Sequence, residues 1–326
     1  MSQPSETPYA GLSPDLILDA LEAAGFQPTG GLLELNSYEN RVFQLEMEDG
    51  SFVVSKFYRP DRWADRQIIE EHEFTQELKE ADLPIVAPLA LSGRSLFEHA
   101  GFRYAVYPRQ GGRSPNLEVE EDLKVLARTL ARIHAVGALR PFQQRPNLSL
   151  NRLGTESRTF LLDQGFVPPD METAYASITE HLLDRLESAL SGMDVSGRIH
   201  GDCHMGNLLW RESTPHFVDF DDCVNGPPVQ GLWMLLSGSR DEQQGQLDLI
   251  LEAYDAFHHF DAASLRLIEP LRTLRIMHHA AWLARRWHDP AFPRAFPWFD
   301  SPRYWSDHVL SLREQQAALE EPPLSA

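Results

Sequence analysis

The sequence predicts an α+β fold of two lobes, a small antiparallel-sheet lobe followed by a mainly helical one. Three observations predict it. Short stretches of alternating apolar and polar residues, punctuated by turn formers, fill the chain from Leu32 to Tyr107, which is the pattern of half-buried strands. After Tyr107 the apolar residues recur at helical spacing almost to the C-terminus. Between His200 and Asp221, two strand-like runs joined by a turn carry Asp202, Asn207 and Asp219, so three oxygen-bearing side chains converge on one hairpin. The expected division is a lobe over residues 1–107, a connector over 108–113 and a second lobe over 114–326.

Met1 to Ala10 is polar and contains proline, and a loose tail is expected there. Ser13-Pro14-Asp15 is a helix start, with Ser as N-cap, Pro at the first helical position and Asp in the first turn; Gly25 is the stop. Leu32 to Asn36, Arg41 to Met47 and Ser51 to Tyr58 read as antiparallel strands, the last two joined by the tight turn Glu48-Asp49-Gly50. Lys56 lies on the same pleat face as Phe52, Val54 and Tyr58, and an ammonium on a half-buried face needs an anionic partner. A helix is expected from Trp63 to Lys79, with Ile68, Phe74 and Leu78 as its seam. Strands at Leu89 to Leu91 and Phe102 to Tyr107 complete a lobe of about five strands.

Pro108-Arg109-Gln110-Gly111-Gly112-Arg113 reads as a hinge. A long helix opens at Asn116 or Leu117 and runs to Val136, with Leu123, Leu126, Ala127, Leu130 and Ile133 on one face. His134, near its end, is read as a packed core histidine. Pro146 to Gly165 is expected to be loop-rich, and Met171 to Leu190 to be a helix leading into the hairpin. Helices follow at Val229 to Leu236, Leu247 to Phe257, Ser264 to Ile268, Pro270 to Trp287 and Pro302 to Leu319. The aromatic loop Phe292 to Phe299 is read as packing for the last helices, with an acceptor-side wall as the alternative.

Composition limits the function. The chain has 326 residues, 42% of them hydrophobic, enough for real cores. Its formal net charge of −19 argues against nucleic acid or an anionic membrane as partner, since both demand clustered Lys and Arg. Two cysteines and the lack of an apolar leader point to a reducing cytoplasm, and no apolar run approaches the ~20 residues of a membrane span. His200, Cys203, His204 and Cys223 could supply zinc ligands, but they lack paired spacing and stand among oxygen donors.

Phosphoryl transfer asks for a carboxylate to accept the proton of an attacking hydroxyl, plus an amide oxygen and a second carboxylate to hold Mg²⁺ on a triphosphate. The spacing from Asp202 to Asn207 equals that of the protein-kinase catalytic loop, and Asp219 stands where that fold keeps its metal-binding Asp. Here the words are His-Gly-Asp-x-His-x-Gly-Asn and Asp219-Phe220-Asp221, variants that resemble the aminoglycoside phosphotransferase and choline kinase branch of the kinase-like fold. Within that branch, Asn36-Ser37-Tyr38-Glu39-Asn40-Arg41-Val42, Lys56-Phe57-Tyr58-Arg59-Pro60, His200-Gly201-Asp202-Cys203-His204 and Glu321-Pro322-Pro323-Leu324 are similar to the bacterial stress response kinase A family, nearly end to end.

The resemblance implies a two-lobed kinase-like fold, ATP and Mg²⁺ as cofactors, and serine/threonine protein kinase activity. It implies Asp202 and Asp219 as catalytic residues and Asn207 with Asp219 as metal ligands. The loop Asn36 to Asn40 would cover the phosphates; it has no glycine, so the Ser37 and Asn40 side chains are the expected donors. Lys56 would meet the phosphates with Glu71 as its partner, Glu70 and Glu73 being alternatives, and Tyr107 and Arg109 would border the adenine. Gly231 departs from the family pattern, which has an Asp before this helix to brace the catalytic loop; Asp221 or Asp222 could compensate.

The expected acceptor is a Ser or Thr hydroxyl of a protein. A small-molecule kinase acting on an aminoglycoside, choline or homoserine-like alcohol is the first alternative, and a catalytically weak nucleotide-binding scaffold the second. A monomer is the working expectation.

Overall fold

The computed structural model describes residues 7–326. Most of the segment Met1 to Ala10, including Ser2 and Ser5, lies outside the described residues. From Thr7 onward that segment is packed rather than loose: the Tyr9 hydroxyl donates to the carbonyl of Glu39 at 3.0 Å, and the Arg41 guanidinium lies over its ring.

Helix α1 spans Pro14–Ala24, capped by the Ser13 hydroxyl and closed by Gly25 in the left-handed region. Strands β1 (Pro28–Leu35), β2 (Arg41–Met47) and β3 (Phe52–Phe57) follow, then α2 (Asp65–Glu80), β4 (Phe97–His99) and β5 (Phe102–Pro108). The five strands form one antiparallel sheet in the order β1-β2-β3-β5-β4. The expected strand at Leu89 to Leu91 is replaced by Phe97–His99. Leu89 donates to the Val106 carbonyl, but Ser92 and Gly93, both at positive φ, turn the chain away and the ladder cannot continue.

The helical lobe contains α3 (Glu120–Gly137), α4 (Glu156–Asp163), α5 (Pro169–Ala189), the short strands β6 (Arg198–Ile199), β7 (Leu208–Arg211), β8 (Thr214–Phe217) and β9 (Val224–Asn225), then α6 (Val229–Trp233), α7 (Arg240–Tyr254), α8 (Ile268–Arg285), α9 (Ala291–Ala295) and α10 (Pro302–Ala318). Two expectations fail locally. The supposed loop Pro146 to Gly165 holds a π-turn at Asn151–Thr155 running into α4. Helix α7 begins seven residues before Leu247, because Ser239 and Glu242 form a reciprocal capping box ahead of a polar first turn that carries no apolar periodicity.

One core positions the site. Phe74 and Leu78 of α2 pack with Leu126 and Leu130 of α3 and with Ile199, Leu208, Phe217 and Phe220 of the hairpin region. Phe74 stands edge-on to Phe220, with ring centroids 6.0 Å apart, so the helix flanking the sheet and the loop after β8 share one apolar contact. The backbone joins them as well: Val86 donates to the Phe217 carbonyl and Phe217 to that of Pro84, while Arg113 and Trp210 exchange both backbone hydrogen bonds and tie the connector to β7.

Candidate active site

The loop between β6 and β7 is held by its own side chains. The His200 imidazole accepts from the Asp202 amide at Nδ1 (3.3 Å), so its Nε2–H donates to the Val218 carbonyl at 2.9 Å. Burial lowers the His200 pKa, which keeps that neutral tautomer and links the loop to the residue before Asp219. Gly201 has φ +82, and a Cβ there would sit 2.1 Å from the Asp222 carbonyl oxygen. Only glycine lets the two halves of the site approach this closely.

Asn207 donates its amide NH₂ to the Asp202 carbonyl at 2.9 Å, leaving the amide oxygen as a potential cation ligand. Val218 donates to the Asn207 carbonyl at 3.1 Å, and the pairing of Leu208 with Phe217 sets Asn207 beside the chain that leads to Asp219. Asp219 is in the left-handed region at φ 57, its side chain half exposed. A non-glycine residue in that conformation costs energy that the surrounding structure must offset.

Lys56 reaches both acids that follow: its ammonium is 2.8 Å from Asp219 Oδ1 and 3.3 Å from Asp221 Oδ1. Burial alone would depress its pKa, but the charges of Asp219, Asp221 and Glu71 outweigh burial and hold it well above the ordinary value. The expected Lys56–Glu71 ion pair is absent among the described contacts. Glu71 is buried with Oε2 unpartnered, and burial, opposed by the Lys56 charge, pushes its pKa up to about 7. Glu70 is committed elsewhere, accepting the backbone N–H groups of Gln143, Gln144 and Arg145.

The loop over residues 36–40 also departs from expectation. The Asn40 side chain is buried, donates to Asp221 Oδ2 at 3.1 Å and accepts from the Arg59 amide at 3.1 Å, so it links the loop to the acid beneath the site. Ser37 donates to the Asn40 carbonyl at 3.1 Å. Glu39 fastens the loop to α8 and its end: it accepts from Trp282 Nε1 at 2.7 Å and pairs with Arg286 at 2.5 Å. Tyr107 bonds the Tyr58 hydroxyl at 3.0 Å, and Arg109 donates to Gln44 on the exposed side of the sheet.

Sequence reasoning missed Gln230 and Arg275, and named Asp221 only as a compensating brace for the loop. Asp221 is the buried acid of the site, paired with Lys56 and Arg62; burial would raise its pKa, but those two cations hold it below the usual range. Its place in Asp219-Phe220-Asp221-Asp222 was visible, its burial was not. Gln230 donates to the Gly201 carbonyl at 3.2 Å and accepts from Trp233, and so supports the loop from the position next to Gly231. Gly231 itself lies against Leu130 and His134, where an added Cβ would be 3.5 Å from His134 Nε2. Arg275, on α8, is 2.5 Å from Asp202 Oδ1, and His204 is 3.4 Å from Oδ2. Burial would raise the Asp202 pKa, but the His204 hydrogen bond and the Arg275 charge hold it well below the usual carboxylate range.

The donor set fits a hard divalent cation: Asn207 and Asp219 offer oxygen only, and Asp219 retains Oδ2. Comparison with known proteins shows the family and the fold. A model of the phosphotransferase enzyme family matches residues 32–268. Stress response kinase A of Escherichia coli strain K12 is 44% identical over 316 residues, covering 97% of this chain and 96% of that protein, and the serine/threonine protein kinase RdoA of Salmonella typhimurium gives the same identity and coverage. Among solved structures, an amicoumacin kinase in complex with AMP-PNP, Ca²⁺ and its ligand superposes with a TM-score of 0.73 at 18% identity, covering 95% of this chain and 94% of that one. A spectinomycin phosphotransferase in complex with ADP and spectinomycin gives 0.61 at 15% identity, covering 96% and 100%. These structures share the fold.

Proposed function

We infer the activity from a plain premise: this chain belongs to the phosphotransferase enzyme family and, within it, to the stress response kinase A group. It is a kinase, and we propose that its acceptor is a serine or threonine hydroxyl of a protein and its metal Mg²⁺. The observation that carries the reading is the meeting of Asp202, Asn207, Lys56 and Asp219 around one hairpin. The name of the Salmonella relative favours the protein acceptor. Residues 108–113 are the proposed hinge between a nucleotide lobe and a catalytic lobe.

In the proposed reaction the acceptor oxygen forms a bond to the γ-phosphorus while the bond to the β–γ bridging oxygen breaks, and ADP leaves with that electron pair. Asp202 receives the hydrogen bond of the attacking hydroxyl and then its proton, which passes to solvent. A carboxylate whose pKa is held low is ionised throughout the neutral range; it orients the hydroxyl and takes the proton late. Mg²⁺ would neutralise charge on the phosphates, with Asn207 and Asp219 as its protein ligands. Lys56 would trade part of its contact with Asp219 for phosphate oxygens, remaining charged because Asp221 stays beside it. Asp221, Arg62 and Asn40 form the buried brace beneath this exchange.

The test is transfer of labelled phosphate from Mg-ATP. Asp202→Ala is expected to abolish transfer while Mg-ATP affinity stays within a few-fold, because a contact made to the acceptor in the transition state affects turnover more than nucleotide binding. Asp219→Asn is expected to lose productive metal binding and Asn207→Ala to weaken it less, since one removes a full charge and the other a neutral oxygen. Near-normal turnover in Asp202→Ala refutes the assignment. Label that enters only a small alcohol and never a protein moves the acceptor to the small-molecule alternative.

A further inference from the structure

One face of α8 forms a wall between the catalytic loop and the nucleotide loop. Arg275, His279, Trp282 and Arg286 recur at helical spacing, with α8 ending at Arg285 and Arg286 as its cap, so they lie on one side of the helix line. Its two ends are fixed by contacts: Arg275 meets Asp202, and Trp282 with Arg286 meets Glu39. This face borders the Asp202 side chain, which an acceptor hydroxyl has to reach in the proposed reaction.

The charges along this wall differ in availability. Arg286 is neutralised by Glu39, and burial lowers the pKa of His279, leaving it neutral near pH 7. The Arg275 side chain is 42% exposed, and among the described residues it pairs with Asp202 alone. Arg275 contacts one oxygen of Asp202 and His204 faces the other, so an attacking hydroxyl shares the carboxylate with these two cationic or donor groups. A hydroxyl that bonds Oδ1 competes with Arg275 for that oxygen and leaves the guanidinium able to turn to another carboxylate at the mouth of the site.

Resting on the phosphotransfer reading above, we propose that Arg275 is the specificity-determining residue of the acceptor side: it passes from Asp202 to a carboxylate carried beside the acceptor hydroxyl, so the enzyme selects serines and threonines flanked by acidic residues. A planar guanidinium suits such an exchange, because it pairs with one carboxylate as readily as with another. A cationic flank would meet Arg275 at close range and be disfavoured. In a chain of net charge −19 a local cation at the acceptor mouth is also what lets an acidic segment approach at all.

The experiment uses the full chain, Mg-ATP and three matched peptides with a single Ser flanked by Asp, Gln or Lys, with glycerate and ethanolamine as anionic and cationic small alcohols. KM, kcat and Mg-ATP affinity are measured separately. The wild type is expected to favour the Asp-flanked peptide over the Lys-flanked one by about tenfold or more in kcat/KM, mainly through KM, and over glycerate. Arg275→Glu is expected to reverse the peptide order with Mg-ATP affinity unchanged, and Arg275→Lys to retain it. The proposal is overturned if Arg275→Glu lowers every acceptor by one common factor, since Arg275 would then only support Asp202. Wild-type preference for the Lys-flanked peptide or ethanolamine overturns it too, and a preference for glycerate over every peptide overturns the peptide as the source of the carboxylate. ATP turnover to water with no transfer to the Asp-flanked peptide sinks this inference alone; no ATP turnover of any kind sinks the phosphotransfer reading with it.

Discussion

Lys56 stands between two acids, 2.8 Å from Asp219 and 3.3 Å from Asp221, and the two differ in what else they hold. Asp219 is half exposed and has no second cation among its recorded contacts, whereas Asp221 is buried and also bound by Arg62 and Asn40. Asp221 therefore keeps Lys56 charged and in place, and Asp219 is free to exchange partners when nucleotide and metal arrive. Lys56→Met should abolish transfer and raise the KM for ATP. It should also lower stability by about 1–3 kcal/mol, less than a fully buried pair would lose, because Arg62 still compensates Asp221. Thermal unfolding of the nucleotide-free protein checks the second half; an unchanged Tm refutes it.

Glu71 makes a pH prediction. Its folded pKa is raised from the usual 4.5 to about 7, so between those values the folded chain binds more protons than the unfolded one. Stability from this residue is full below about pH 4.5 and is lost as pH rises from there through 7, by an amount on the order of 3 kcal/mol. Glu71→Gln mimics the protonated carboxyl and should lose that decline. The difference in Tm between variant and wild type, measured at pH 5 and pH 8, is expected to move in favour of the variant at pH 8. A constant difference sinks the assignment.

The contrast between Asp202 and Glu71 marks what was legible in the sequence. The grouping of Asp202, Asn207 and Asp219 was readable because it depends on a short hairpin whose spacing is local. Lys56 was readable as a cation on a half-buried face, but its partner was not: Asp219 and Asp221 lie 163 and 165 residues away, and α2 offers several glutamates whose burial depends on docking against α3 and the hairpin. Asn40 looked like a loop donor because the tip is polar, and its buried partner Asp221 lies 181 residues away in sequence. Strand β4 was misplaced because a three-residue edge strand carries too little alternation to be told from its neighbours.

The residue before Gly231 supports the loop that carries Asp202. Gln230 donates to the Gly201 carbonyl and is itself oriented by Trp233. Gln230→Ala should leave the fold and Mg-ATP affinity close to wild type and reduce kcat by about tenfold, the effect of letting Asp202 drift from its attack geometry. Gly201→Ala should be much worse, because its Cβ would overlap a backbone oxygen that cannot yield like a flexible side chain. A Gln230→Ala enzyme with wild-type kcat refutes the bracing role.

The last prediction concerns regulation. Between Asp219 and the start of α6 at Val229 the chain is short and fully committed: Phe220 packs against Phe74 and His200, Val224–Asn225 pairs with β6, and Asn225 bonds the Phe142 backbone through both its donor and its acceptor. Arg145 holds the Cys223 carbonyl at 3.0 Å. Kinases switched by phosphorylation order a long mobile segment at this point of the chain, and here there is none to order. The fully dephosphorylated chain should therefore transfer phosphate from Mg-ATP without a lag and without a partner. Slow self-labelling should accompany it, because a reactive phosphate beside nearby hydroxyls gains from local concentration even when orientation is poor. Ser37 would first have to give up its hydrogen bond to Asn40, at a cost of about 1 kcal/mol, whereas Thr7 is exposed; Ser2 and Ser5 lie outside the described residues. Mass spectrometry of the dephosphorylated chain after incubation with Mg-ATP, with Asp202→Ala as control, should find phosphate on Ser or Thr only in the active enzyme. An enzyme that stays inert until an upstream kinase or a binding partner is added contradicts this account.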